Sequence, residues 1–141
     1  MPLKINLKKD QKIILNGAVL KNSSAHAVTL TLLNDSRLLQ DKDILSYEEA
    51  NTPAARVYYS LQCAYLFEDE RAEHLENFKV FSADYVKALP SSKVIVDDLA
   101  EKVNNGELFR ALKQARDLIM HETKVLEHVQ SANSELSNDS E

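Results

Sequence analysis

The side chains that could do chemistry in this chain are few and poorly spaced for it. A lone thiol, Cys63, stands in the most apolar segment, where free cysteine acts as a small hydrophobe, and no histidine lies near it to serve as a base. His121 and His128 are seven apart with Glu122 and Glu127 beside them, whereas metal sites draw three or four ligands at tighter spacing. The neighbouring acids Glu48-Glu49 and Asp97-Asp98 do not face each other on a helix, so caps and solvated charge suit them better than acid–base work. P-loop, dinucleotide fingerprint, nucleophile elbow and zinc spacings are all missing from the sequence. An enzyme is not expected, nor a cofactor or a metal.

Cationic side chains offer more. Residues 1–45 hold seven Lys/Arg against four Asp/Glu, while residues 46–141 hold ten against eighteen. A basic first third can meet a polyanion while the acidic remainder repels it, which confines contact to one surface and makes affinity depend on salt. Lys4 and Lys8 project together from an alternating segment, and Lys9, Lys12 and Lys21 fall in adjoining turns and hairpin arms. These five are the candidate phosphate-contacting residues. Lysines on edge strands also serve simply to deter aggregation, and the aromatic interleaving of single-strand readers is absent from this segment. The tyrosines at 58, 59 and 65 could stack on bases, but their helical spacing in an apolar segment makes them core residues.

The elements that must position these side chains follow from periodicity. Leu3, Ile5 and Leu7 alternate with Lys4, Asn6 and Lys8, the pattern of a half-buried strand. Lys9-Asp10-Gln11 reads as a turn, Lys12 to Leu15 as a second strand, and Asn16-Gly17 as a hairpin turn leading to Ala18, Val19 and Leu20. After a loop over 21–25, Val28 to Leu33 and Leu38-Leu39 return to strand character, and a short helix or turn opens near Asp43. Thr52 then supplies an N-cap and Pro53 a first helical residue for a segment, 54–67, apolar on nearly every face and hence central. A second amphipathic helix carries Leu75, Phe78, Phe81, Tyr85 and Leu89 to the stop at Pro90, and Ser91 or Ser92 caps a third that ends at Asn104-Asn105-Gly106. A fourth runs from about Glu107 to Gln130, and residues 131–141, nearly devoid of apolar anchors, read as a disordered tail. The expected fold class is α+β: a small antiparallel β-sheet of four or five short strands over 1–45, and a bundle of about four helices over 46–130 packed on it as one structural unit.

Composition sets the class. At 141 residues, 44% hydrophobic and 28% charged, the chain has the balance of one globular domain. A single cysteine, no leader and no apolar run near the roughly 20 residues of a membrane span point to a cytoplasmic protein with no membrane partner. Pairing of the β part with a second copy, giving a homo-oligomer, stays open.

Specific residues then carry a resemblance. Pro2-Leu3-Lys4-Ile5, the segment Ile14-Leu15-Asn16-Gly17-Ala18-Val19, the junction Asp43-Ile44-Leu45, and above all Asn51-Thr52-Pro53-Ala54-Ala55-Arg56-Val57-Tyr58 followed by Leu61-Gln62 and Tyr65-Leu66 resemble, in order, the FlbT family of bacterial flagellin regulators. The resemblance implies a small, non-enzymatic repressor that associates with the 5′ untranslated region of flagellin messenger RNA and promotes its degradation. The chain departs from that family in Asn22-Ser23-Ser24-Ala25-His26, where charged residues are common, and in Lys9-Asp10-Gln11, where the first turn usually holds glycine. Expected RNA contact therefore rests on Lys4, Lys8, Lys9, Lys12 and Lys21. The competing expectation is a protein-binding adaptor that senses flagellin or a flagellar secretion factor and affects the messenger indirectly.

Overall fold

Alternation in the first forty residues resolves into five strands, β1 (Leu3–Leu7), β2 (Lys12–Leu15), β3 (Ala18–Lys21), β4 (Val28–Leu32) and β5 (Leu38–Gln40). The computed structural model describes the backbone of residues 2–139 and the side chains of residues 2–129. All strand pairs are antiparallel, but they form two sheets rather than the one anticipated: a β1–β4 ribbon, and a three-stranded sheet in the order β3-β2-β5. The reason lies in Ile13-Ile14 and Leu38-Leu39, whose successive side chains are all buried. A strand buried on both faces needs cover on both. Ile13 and Leu38 join Ile5 and Leu7 of the ribbon in one apolar cluster, while Ile14 and Leu39 turn the other way into a larger cluster with the helices.

Two turns set this geometry. Asn16 and Gly17 both have positive φ (52° and 87°) and close the β2–β3 hairpin as a primed turn. Between β1 and β2 the Gln11 amide donates to the Lys8 carbonyl at 3.1 Å, with Asp10 at φ 66°, the arrangement of a type II turn. Asp10 donates to the Asn22 carbonyl and Asn22 to that of Gln11, so two residues oppose one in a bulge that bends the chain away from β1. The Asn22 side chain is buried there. It donates to the carbonyls of Leu7 and His26 and accepts from Ser24, tying the loop to the ribbon.

Four helices follow: α1 (Pro53–Leu66), α2 (Arg71–Ala88), α3 (Lys93–Asn104) and α4 (Leu108–Asp139). Thr52 caps α1 as its sequence predicts, its Oγ1 accepting from the Ala55 amide at 3.2 Å, and Pro53 stands at the first position. Helix α1 is central: Ala54, Val57 and Leu61 are fully buried in one cluster with residues of α2, α4 and the inner face of the three-stranded sheet, and Ala64 is fully buried too. Glu68–Glu70 forms a single 3-10 turn that separates α1 from α2. Ser92 occupies the N-cap of α3, but its hydroxyl donates to the Leu89 carbonyl at 2.6 Å rather than capping the helix. Gly106, at φ 78°, ends α3 with its amide on the Val103 carbonyl and that of Glu107 on the Lys102 carbonyl.

The last helix differs from expectation. Its backbone continues through Asp139, past the end near Gln130 and into the segment read as a disordered tail. No glycine or proline follows Gly106, so nothing local halts propagation once the helix is nucleated. The final two residues of that tail lie outside the described residues.

Candidate nucleic-acid interface

The five lysines chosen from sequence do not share one face. Lys12 and Lys21 are directly opposed across β2 and β3, on the side of the sheet that also carries Ile14 and Val19. Lys8 and Lys9 lie in the exposed turn just before Lys12. Lys4 pairs with Thr31 on the outer face of the ribbon, and the pleat turns that face away from the three-stranded sheet. Lys4 is therefore separated by the β layer from Lys12 and Lys21. Lys21 also has a neighbour of opposite sign, Asp10, at 3.8 Å, both side chains being at least half exposed. Such a pair contributes little and yields readily to another anion.

Sequence reasoning missed cations supplied by α4. The Asp43 carboxylate, 4% exposed, meets Lys113 Nζ at 2.7 Å and Arg116 at 2.9 Å. Arg116 also donates to the Lys42 carbonyl, and the Tyr58 hydroxyl to that of Asp43. One buried carboxylate thus holds two cations whose side chains remain about 40% exposed, leaving a surplus positive charge at the surface. Lys8 and Lys42 line one cleft, and Lys42 and Arg116 line the next. The turn of β1–β2 and the helical part thus place Lys8, Lys42 and Arg116 along neighbouring clefts, with Asp41 lining the first and its carboxylate accepting from the Lys12 amide at 2.8 Å. The signal available in the sequence was Lys113 and Arg116 at helical spacing, but only the fold brings them to Asp43.

The tyrosines of α1 serve the fold. Tyr58 reaches Asp43, the Tyr65 hydroxyl accepts from the Leu38 amide at 3.1 Å, and between them Gln62 both accepts from the amide and donates to the carbonyl of Leu45, each at 2.9 Å. Burial, and secondarily the Asp43 carboxylate, pushes the Tyr58 phenol up to about 12. Cys63 is buried in the same helix, and burial raises its thiol above the ordinary value, so it is a poor nucleophile at neutral pH. His121 and His128 lie on α4, and among the described residues no three His, Cys, Asp or Glu side chains gather as metal ligands. Glu49 caps a single turn, its carboxylate accepting from the Ser46 amide, while Asp97 and Asp98 pair with Lys93 and Lys102 along α3. Among the described residues, no helix is long and apolar enough to cross a membrane.

The family model for the flagellar protein FlbT matches residues 3–126, from the first strand well into α4. The chain belongs to the FlbT family. It is 38% identical over 125 residues to a probable flagellum biosynthesis repressor protein FlbT 1 of Bradyrhizobium diazoefficiens, covering 89% of this chain and 85% of that one. A probable flagellum biosynthesis repressor FlbT of a Caulobacter species is 36% identical, with 92% and 99% covered. The flagellum biosynthesis repressor FlbT of Caulobacter vibrioides is 34% identical, with 93% and 94% covered. No solved structure matches. The FlbT match spans both sheets and the helices, so ribbon, three-stranded sheet and α1 fall within one family unit.

Proposed function

We propose that this chain is a repressor of flagellum biosynthesis that acts after transcription, in the cytoplasm, by contacting the 5′ untranslated region of flagellin messenger RNA and promoting its degradation. The observation that carries the geometry is the pair Lys12 and Lys21, two ammonium groups on directly opposed strand positions. Like charges so placed repel, and a bridging phosphate removes that repulsion. Lys8 and Lys9 in the preceding turn, and Lys42 and Arg116 lining two neighbouring clefts with Asp41 and Asp43, add further cations. Lys4, on the far side of the β layer, takes no part in this contact. The family's relatives, named as flagellum biosynthesis repressors, support the regulatory half of the reading.

Gel shifts with a single-stranded flagellin leader over a salt series test the proposal. Affinity falls linearly on logarithmic axes with a slope near 0.7 per phosphate contacted, and Lys8→Glu with Lys12→Glu removes binding while Lys4→Glu leaves it in place. No binding by the wild-type chain at low salt sinks the reading.

A second reading has its own observation. Leu126 and Val129 of α4 are about half exposed and, three apart, share one face, a short apolar strip suited to a partner helix, as an adaptor sensing flagellin or a secretion factor would need. Retention of a flagellar protein after nuclease treatment, with no RNA shift, decides for the adaptor.

A further inference from the structure

The connector from Gln40 to Asn51 has only a 3-10 turn and one isolated turn of its own, and three concavities follow it in order. Lys8 and Lys42 border the first, Lys42 and Arg116 the second, and the third is a groove of about 620 Å³ between the connector, α1 and α2. This groove is chemically unlike the other two. Tyr47 stands at its lip, 76% exposed, and meets Tyr59 edge-on, ring centroids 6.0 Å apart and planes at 69°. At that exposure most of the Tyr47 ring stays open to solvent. Phe81 adds a third ring, Asn51 and Asn77 supply amides, and Arg56 is exposed with no ion pair among the described residues. Glu48 lines the groove too, which disfavours a ligand that is anionic throughout and favours one with an anionic end and a neutral body.

We propose that this groove takes an unpaired base of an RNA strand, stacked on Tyr47, with Arg56 on the adjoining phosphate. The inference rests on the RNA reading above and adds to it a base-contacting site that the lysines do not supply. A nucleotide fits all three features. Its base has a π-face for tyrosine, its polar edges match side-chain amides, and its phosphate matches a guanidinium. Connector residues 42–45 border the cleft of Arg116, and residues 47–51 the aromatic groove, so one short segment carries both a phosphate contact and the base site.

The test uses the full chain and a single-stranded fragment of the flagellin leader, read by gel shift and by tyrosine emission, which no tryptophan masks in this sequence. Tyr47→Ala should weaken binding about tenfold without changing the salt slope, since stacking releases no counterions, and Tyr47→Phe should restore it. Arg56→Gln should weaken binding and lower the slope by about 0.7. Thermal midpoints matching the wild type show that the variants fold, as the exposure of Tyr47 leads one to expect. If Tyr47→Ala and Arg56→Gln bind like wild type while Lys8→Glu with Lys12→Glu does not, the groove proposal falls and the RNA reading stands. If the wild-type chain binds no RNA, both fall. If Tyr47→Ala abolishes capture of a flagellar protein and leaves RNA affinity intact, the groove belongs to a protein and the proposal is overturned.

Discussion

Asp10 holds a left-handed backbone conformation that a side chain with a β-carbon adopts at a cost. Its partner Lys21 is too exposed to offset that cost, so Asp10→Gly, which removes the left-handed penalty less glycine's greater unfolded entropy, should stabilise the fold by about 1 kcal/mol, read as a higher midpoint in thermal unfolding. Asp43 is the reverse case. Among the described residues its buried carboxylate is the only anion paired with Lys113 and Arg116, and Asp43→Ala should destabilise by about 2–3 kcal/mol, below the usual figure for a broken buried pair because both cations reach water. Tyr58 and Tyr85 give the molecule an alkaline limit. Burial raises both phenols to about 12, with the negative charges of Asp43 and Glu122 respectively acting in the same direction. An unfolded tyrosine ionises near 10, so above that pH the unfolded chain binds fewer protons than the folded one and stability falls as pH rises. The contribution is whole below pH 10 and lost by about pH 12. An absorbance titration of tyrosinate should show these two rings ionising only with loss of helical circular dichroism, and Tyr58→Phe should lessen the effect.

At the scale of elements, α1 begins where two side chains converge. Thr52 accepts from the Ala55 amide, and Glu122, from α4, accepts from the Ala54 amide at 3.0 Å. A carboxylate at a helix N-terminus also meets the positive end of its dipole. Thr52→Ala should cost about 1 kcal/mol, and Glu122→Gln should cost less than Glu122→Ala, because the amide oxygen keeps the hydrogen bond and loses only the charge; urea unfolding distinguishes them. Only the first of these caps was legible in the sequence. Thr52-Pro53 is local chemistry, as are Asn16-Gly17 and the glycine stop at Gly106, and the structure holds all three. Glu122 sits 68 positions from Ala54, a separation no local pattern spans. The split into two sheets was written in Ile13-Ile14 and Leu38-Leu39, since paired apolar residues on a short strand mean burial on both faces, but alternation elsewhere hid it. Ser92 shows the opposite failure: the right residue type at the right place has its hydroxyl engaged by the preceding turn. Among candidate site residues, Lys8, Lys9, Lys12 and Lys21 fall near one another, whereas Lys4 does not, because strand parity places a side chain on a face but leaves open where that face lies in the fold.

Across the whole molecule, the three-stranded sheet is a wall shared by two apolar clusters. Ile13→Ala empties one side and Ile14→Ala the other, each costing about 2–4 kcal/mol. If the wall couples them, either variant should still unfold in a single transition by both far-ultraviolet circular dichroism and tyrosine fluorescence. Loss of coincidence between the two probes in Ile13→Ala alone would mean that the ribbon melts by itself. The same wall is bound to the helices by an unusual division of labour. The backbone amides of Leu38 and Leu45 are held not by other strands but by the Tyr65 and Gln62 side chains of α1. Those two protons therefore report on a helix to which they do not belong: in deuterium, each should exchange at the pace set by the partial unwinding of α1, and Gln62→Leu should free the Leu45 proton while leaving its helical neighbours slow. Any molecule that clamps the stretch from Gln40 to Asn51 would, by the same linkage, slow the fluctuations of a helix buried several ångströms beneath it.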